Sequence, residues 1–429
     1  MHKTLLRERF ATNAAVRPGE AVVASGVRHP VRGYVRSPAA GLVADRLEGR
    51  GLRVRWAELT ARVSEAEGGA QDLDLVSYLG WDGEAVGLGA AVAERDSAVR
   101  QAVDEELSAW FDVLRTRRVI AAAIVPWCAG TSRALAIAER CCTQQTGPVY
   151  VLGRLTDNPA VAQRLLARGL VCVDDVDTVP DGATVLFAQH GVPLAAEAEA
   201  AARDLTVIDA TCPLAASAHA EVRRFADRGD TVVLIARRGD AAVPGLVSQA
   251  PEAVQPAADT RDVAALSVPD PGRMAVVIQP GLPAQVTGPV LEALRARFGH
   301  IAPQHPSTLC DAADDRRAQV RSLAESCDAV LVACAQDDPE SAWIGAACST
   351  AGAAAHPVAR LADVEPAWIA QSATVGVTAT MRADPALPGR LMTALRGLGP
   401  TSVVERRVVT QPVSAPGAAT HISAESALW

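Results

Sequence analysis

The chain has 429 residues, 49 % apolar and 21 % charged, with a net charge of −8. That length implies roughly two to four domains with sizeable cores, and the composition is that of a globular protein. The acidic balance, with no basic stripe interleaved with aromatics, excludes nucleic acid as a partner. Aromatics are only 3 % while Ala, Val, Arg and Gly abound, a bias that fits a GC-rich bacterial genome. Met1-His2-Lys3-Thr4 leads into charged residues, and neither a signal peptide nor an 18-residue apolar span is present. The expectation is a cytoplasmic protein with no membrane partner.

Residues 1–117 contain no cysteine. A helix is predicted from Ser37, as N-cap, to the stop at Gly51. Strand-like runs follow at Leu52–Trp56 and Leu73–Leu79. An amphipathic helix is predicted over Ser97–Arg115, with Ala102, Val103, Leu107, Trp110, Phe111 and Leu114 on one face. Gly87-Leu88-Gly89 lacks the third glycine of a dinucleotide loop. This block reads as a small N-terminal α/β appendage, residues 1–117.

From Arg118 strands and helices alternate. Strands are predicted at Val119–Val125, Val149–Leu152, Thr184–Ala188, Thr206–Ala210, Thr231–Ala236, Met274–Ile278, Ala329–Ala333 and Val375–Ala379. Helices are predicted at Ser132–Cys142, Pro159–Arg168, Ala195–Arg203, Ala216–Arg228, Pro289–Phe298 and Ala313–Ser326. The alternation implies parallel α/β units with right-handed crossovers, whose ligands collect at strand carboxyl ends. The Ala- and Ser-rich tail from Ser414 is expected to be flexible.

Nine cysteines without a CxxC fit neither a disulfide scaffold nor a zinc ribbon. Cys141, Cys142, Cys172, Cys327, Cys334 and Cys348 lie in or beside apolar stretches and read as small buried hydrophobes. Cys128, Cys212 and Cys310 differ. They stand in Trp127-Cys128-Ala129-Gly130, Asp209-Ala210-Thr211-Cys212-Pro213-Leu214 and Ser307-Thr308-Leu309-Cys310-Asp311, each ahead of a helix-like run. Three thiolates at roughly equal intervals suggest three lobes that each deliver one ligand to a shared metal centre.

An ordered set of further motifs accompanies them: Gly147-Pro148-Val149-Tyr150, Asp157-Asn158-Pro159, Val179-Pro180-Asp181-Gly182, Gln189-His190-Gly191-Val192 and Arg203-Asp204-Leu205, with His219 and Glu221 beyond Cys212. With these motifs, residues 118 to about 415 resemble the IspH (LytB) family, the hydroxymethylbutenyl diphosphate reductases of isoprenoid synthesis. The resemblance implies an α/β fold, a three-lobed trefoil around a central 4Fe–4S cluster. Its lobes would cover 118–211 (the first strand joining either the first or the third lobe), 212–309 and 310–415, with 416–429 as a tail. It assigns Cys128, Cys212 and Cys310 as the cluster ligands. Three protein ligands on four irons leave one iron open for substrate. It also implies reductive dehydroxylation, in which two electrons and two protons remove an alcohol as water.

Where the family has His-Asn-Pro, this chain has Asp157-Asn158-Pro159. The family motif Gly-His-Pro-Glu-Val-Glu-Gly corresponds to Gly239-Asp240-Ala241-Ala242-Val243-Pro244-Gly245, so the phosphate-binding histidine is Asp240 and the proton-delivering glutamate is Ala242. Gln-Thr-Thr-Leu corresponds to Gln279-Pro280-Gly281-Leu282, Asn-Ser-Ser-Asn to Asp337-Asp338-Pro339-Glu340, and the final serine to Arg382. Like charges about 4 Å apart cost on the order of 1–4 kcal/mol per pair. Asp157, Asp240, Asp338 and Glu340 are therefore expected to oppose a diphosphate, while Arg382 offers a fork for a carboxylate. Asp157, Asn158, Gln279, Gly281, Asp338, Glu340 and Arg382 are the expected substrate contacts. His190 and Asp240 are the expected proton donors.

The leading expectation is thus a 4Fe–4S reductase of a non-diphosphate small molecule in specialised metabolism. The alternatives are the diphosphate reductase itself, a non-redox Lewis-acid hydratase or dehydratase, and an iron–sulfur sensor or scaffold. Residues 1–117 hold no cysteine for a second cluster, so electrons are expected from ferredoxin or flavodoxin. That block is expected to cap the pocket, dock the donor or form a homodimer contact.

Overall fold

The computed structural model describes residues 5–12, 14–63, 71–145 and 147–406. The predicted flexible tail lies outside them. Two compact units divide the described chain. The first comprises the described residues up to Pro126, Asn158–Val161, and those from Arg317 to Arg406. The second comprises Trp127–Asp157 and Ala162–Arg316.

The first unit opens with a closed six-stranded barrel and two helices. Its elements are β1 (Leu6–Thr12), β2 (Glu20–His29), β3 (Gly33–Arg36), α1 (Ala40–Gly49), β4 (Arg53–Arg62), β5 (Gln71–Leu79), β6 (Ala85–Ala93) and α2 (Ser97–Phe111). The strand order is β1-β4-β2-β3-β6-β5. Gly87 and Gly89 lie inside β6 rather than in a loop. A Cβ on Gly87 would collide with the Val76 carbonyl, so the bare backbone lets the wall close there. Helix α1 begins at Ala40, not Ser37. The Ser37 hydroxyl is buried without a partner, and only its carbonyl accepts the Ala40 N–H. Helix α2 is capped by Asp96, whose carboxylate accepts the Val99 N–H at 3.2 Å.

Strand β7 (Arg117–Ala122) follows, and the chain passes to the second unit. There α3 (Ala129–Gln144), β8 (Val149–Leu152), α4 (Pro159–Leu166), β9 (Leu170–Val173), β10 (Thr184–Phe187), α5 (Leu194–Ala202) and β11 (Thr206–Asp209) supply a parallel sheet ordered β11-β10-β8-β9. Next come α6 (Pro213–Asp227), β12 (Thr231–Ile235), α7 (Ala242–Val247), β13 (Val254–Ala257), α8 (Thr260–Ala265), β14 (Met274–Ile278) and α9 (Ala284–Phe298). They form a second parallel sheet, β13-β12-β14. Helix α9 starts five residues before the predicted Pro289, which lies inside it.

After α10 (Ala312–Ala324) the first unit resumes with β15 (Ala329–Ala333), α11 (Glu340–Ala351), β16 (Ala354–Val358), α12 (Pro366–Ala370), β17 (Thr374–Ala379), α13 (Leu387–Arg396) and β18 (Thr401–Arg406). Strand β7 joins them in a parallel sheet ordered β16-β15-β17-β7-β18. One core then runs through this sheet and the helices beside the barrel: Val43, Leu47, Leu107 and Trp110 pack with Val119, Leu331, Val375 and Leu391. Fully burying side chains of this size stabilises by about 1.5–3 kcal/mol each. The N-terminal block is therefore part of the first unit's core. Tyr78 strengthens the tie: its hydroxyl accepts the Gly399 N–H at 3.0 Å.

Candidate functional site

The three singled-out cysteines all belong to the second unit, Cys128 and Cys212 directly before a helix and Cys310 one residue further from one. Cys128 is the N-cap of α3, its sulfur accepting the Thr131 N–H at 3.5 Å. Cys212 is the N-cap of α6, with Pro213 in the first turn, and its own N–H donates to the Gln189 carbonyl at 2.8 Å. Cys310 lies two residues ahead of α10, and the N–H groups of Ala312 and Gly281 reach its sulfur. Helix N-termini favour anionic sulfur through their unpaired N–H groups and dipole.

The sulfurs share one neighbourhood. A Cβ on Gly130 would lie 2.6 Å from Cys212 Sγ and 3.7 Å from Cys128 Sγ. Burial pushes the Cys310 thiol above its ordinary range, the Ala312 N–H opposes this, and the neighbouring Cys128 and Cys212 push it further up. Among the described residues no group of three His, Cys, Asp or Glu side chains converges on a single metal-ion position. A mononuclear site needs sulfurs about 2.3 Å from one point. A cluster's thiolates bind different irons and stand farther apart, so three adjacent thiols on helix N-termini are a donor set that fits a cluster.

The other cysteines divide. Cys141, Cys334 and Cys348 are buried and Cys142 and Cys327 partly so, but Cys172 is exposed. Its strand β9 is the edge of its sheet, and both Val171 and Cys172 on it are exposed.

His190 follows the end of β10. Burial lowers its pKa, against upward pulls from Asp240 and Asp157. Asp240 turns into α7, its carboxylate accepting the Ala242 N–H at 3.0 Å. Asp157 is exposed and pairs with Arg154 at 2.8 Å. Gln279 is buried at the end of β14, its side-chain oxygen accepting the Arg237 N–H at 2.9 Å. Gly281 has φ +87 and offers its N–H to Cys310.

The remaining candidates belong to the first unit. Asn158 is buried and donates to the carbonyls of Met381 and Ala383 at 2.9 and 2.6 Å. Glu340 accepts the Met381 N–H at 2.5 Å. Asp338 is buried, one oxygen accepting the Glu340 N–H at 3.0 Å and the other unpartnered. Arg382 is exposed.

Three features have partners that a reading of the sequence does not reveal. Gly130 is pressed against two thiols. His219, on α6, is buried; its ring bonds to the His190 carbonyl and its Nε2 is unpartnered. Glu221, also on α6, reaches the loop that carries Cys310. Gly130 and Glu221 stand inside quoted or resembling motifs, but nothing in the sequence tells which backbone or sulfur they touch.

The pattern of the LytB protein family matches residues 119–396. The chain belongs to the LytB family. Over 291 residues it is 38 % identical to 4-hydroxy-3-methylbut-2-enyl diphosphate reductase 2 of Mycobacterium bovis, spanning 67 % of this chain and 88 % of that protein. Over 277 residues it is 36 % identical to 4-hydroxy-3-methylbut-2-enyl diphosphate reductase of Bordetella pertussis, spanning 65 % of this chain and 85 % of that protein. The solved structure of the E-1-hydroxy-2-methyl-but-2-enyl-4-diphosphate reductase from Plasmodium falciparum has the same fold. The TM-score is 0.57 at 20 % identity, over 68 % of this chain and 93 % of that one. The expected mixed α/β LytB-type fold and the assignment as a reductase therefore stand. No helix among the described residues is long and apolar enough to cross a membrane.

Proposed function

We propose that this chain is a reductase that removes the hydroxyl of 4-hydroxy-3-methylbut-2-enyl diphosphate as water, taking up two electrons and two protons. The observation that carries this is the convergence of Cys128, Cys212 and Cys310 on three helix N-termini within a chain that spans most of each diphosphate reductase it resembles. A 4Fe–4S cluster held by these thiolates would supply electrons and an open iron for the alcohol oxygen. No role in specialised metabolism is supported by these relatives, and this reading replaces the expectation of a non-diphosphate substrate.

The protein's own residues handle the protons. Ala242 has none to give, so His190 takes that role. A depressed pKa makes its protonated form a stronger acid, and Asp240 and Asp157 favour that form. Gln279 and Gly281, in the same unit as the three thiols, are the proposed substrate-side contacts. An external low-potential carrier such as ferredoxin or flavodoxin supplies the electrons.

A second reading rests on Asp157 and Asp240 beside His190, which favour an allylic alcohol without a diphosphate. One experiment separates the two: anaerobic reconstitution, then turnover and binding of the diphosphate with a low-potential artificial reductant. Saturable reduction at micromolar substrate supports the first reading. A loaded cluster with no diphosphate binding, restored in part by Asp240→His with Ala242→Glu, supports the second. A folded chain that binds no iron rejects both.

A further inference from the structure

Helix α6 begins at Cys212, and about two and a half turns later it presents Glu221. Glu221 is buried, yet it is not merely paired with Arg224. Its Oε2 accepts the backbone N–H of His305 at 3.2 Å, while Arg224 donates from Nε at 3.1 Å to Oε1 and from Nη2 at 2.7 Å to Oε2. His305 starts the segment that ends at Cys310. That segment has a single 3-10 turn, Pro306–Thr308, and no strand of its own. The turn is closed by His305: its carbonyl accepts the Thr308 N–H and hydroxyl at 2.9 and 2.7 Å, and its Nδ1 accepts the Ser307 N–H at 3.2 Å. Gln304 adds a tie, accepting from Ile278 N–H at 2.8 Å and donating to the Thr308 carbonyl at 3.1 Å.

We infer that Glu221 is a positioning residue that fixes the Cys310 thiolate relative to Cys212. One rigid helix then carries one proposed cluster ligand at its start and the anchor for another on its flank. A buried carboxylate costs solvation free energy unless hydrogen-bonded, and here the bonded group is the first N–H of an otherwise irregular ligand loop. Arg224 is held separately over the Phe225 ring, 4.1 Å from its centroid, and steadies the carboxylate.

The inference rests on the cluster-binding reading above, and the test keeps the two apart. Wild type, Glu221→Leu, Glu221→Gln and Arg224→Gln are reconstituted anaerobically, and iron release to a chelator is followed by absorbance. Gln keeps an acceptor for His305, whereas Leu fills the space without one and suits a helix. Glu221→Leu should release iron about tenfold faster or more, the scale of a lost hydrogen bond to a charged group. Glu221→Gln and Arg224→Gln should stay within about threefold of wild type. Equal release from Glu221→Leu and wild type overturns the inference, as does equal acceleration in Arg224→Gln, which would make the ion pair the agent. Wild type that takes up no iron sinks the proposed function instead.

Discussion

Replacing Gly130 with Ala tests the shared neighbourhood of the thiols directly. The new methyl would stand 2.6 Å from Cys212 Sγ and 3.1 Å from Cys212 Cβ. It is fixed to the backbone of the first turn of α3 and has no rotamer by which to escape. Overpacking of this kind costs about 1–3 kcal/mol, while Ala in place of Gly within a helix returns about 1 kcal/mol. The metal-free protein should therefore lose no more than about 2 kcal/mol, a Tm drop of at most about 8 °C. The sulfur fares worse, because Cys212 can yield only by rotating its side chain and moving Sγ. Gly130→Ala should fold, yet hold under about one iron per chain where wild type holds about four. Iron and sulfide quantitation after anaerobic reconstitution, beside thermal unfolding of the metal-free forms, reads both quantities. Full iron with wild-type resistance to chelator would refute the placement of Cys212 beside Gly130.

Cys128→Ser, Cys212→Ser and Cys310→Ser should each lose the iron, whereas Cys172→Ser, on an exposed edge, should leave it intact by the same quantitation. Tyr78→Phe strands the Gly399 N–H and should cost about 1–3 kcal/mol in denaturant unfolding. Burial drives the Tyr78 pKa up to about 12, so that loss should be the same from about pH 6 to 9. His190 and His219 both have pKa values lowered chiefly by burial. The unfolded chain then binds more protons than the folded one below about pH 6.5. Their stability contribution is complete above that pH, falls as pH drops through it, and levels off below the folded pKa values. Urea unfolding of the metal-free protein between about pH 5 and 8 should show this slope, and His219→Gln should flatten it. An unchanged slope would mean that His219 is not buried in neutral form.

The repeating half of the fold was readable because parallel strands buried on both faces appear as short apolar runs. All eight strands predicted after residue 117 are present, from β7 to β17. The unread ones, β9, β13, β16 and β18, all lie at sheet edges, and Val254–Ala257 and Ala354–Val358 each carry a proline that breaks the apolar run. Within the barrel only parts of β4 and β5 were read, and β6 was missed for a different reason. In β6, Ala85–Ala93, small residues and glycines replace the β-branched pattern that marks a strand, because the wall is crossed closely by Val76 and Asp74 backbone. Cys128, Cys212 and Cys310 were legible as a set, since Gly, Pro or Asp follows each closely. Glu221 and Gly130 were not, because their partners are a backbone N–H and a sulfur brought close only by folding.

The four acids were the strongest sequence argument against a diphosphate, and their surroundings limit its force. That argument counts each carboxylate as a free charge facing substrate. Asp157 instead pairs with Arg154 three residues away, out in solvent, where such a charge is screened. Asp240 accepts the Ala242 N–H, Asp338 accepts the Glu340 N–H, and Glu340 accepts the Met381 N–H. Carboxylates in such roles shape loops, and part of their charge is answered by backbone dipoles. The repulsion of about 1–4 kcal/mol per pair is therefore an upper bound at each position. Asp240 carries the argument with most weight, since it lies close enough to His190 to favour the protonated ring. Asp240→Asn removes one charge while its side-chain oxygen still accepts the Ala242 N–H. It should tighten diphosphate binding about tenfold if Asp240 faces the phosphates, and leave it unchanged if the carboxylate only caps α7. Titration of the reconstituted protein distinguishes them, and the second outcome would remove the main physical objection to the diphosphate as substrate.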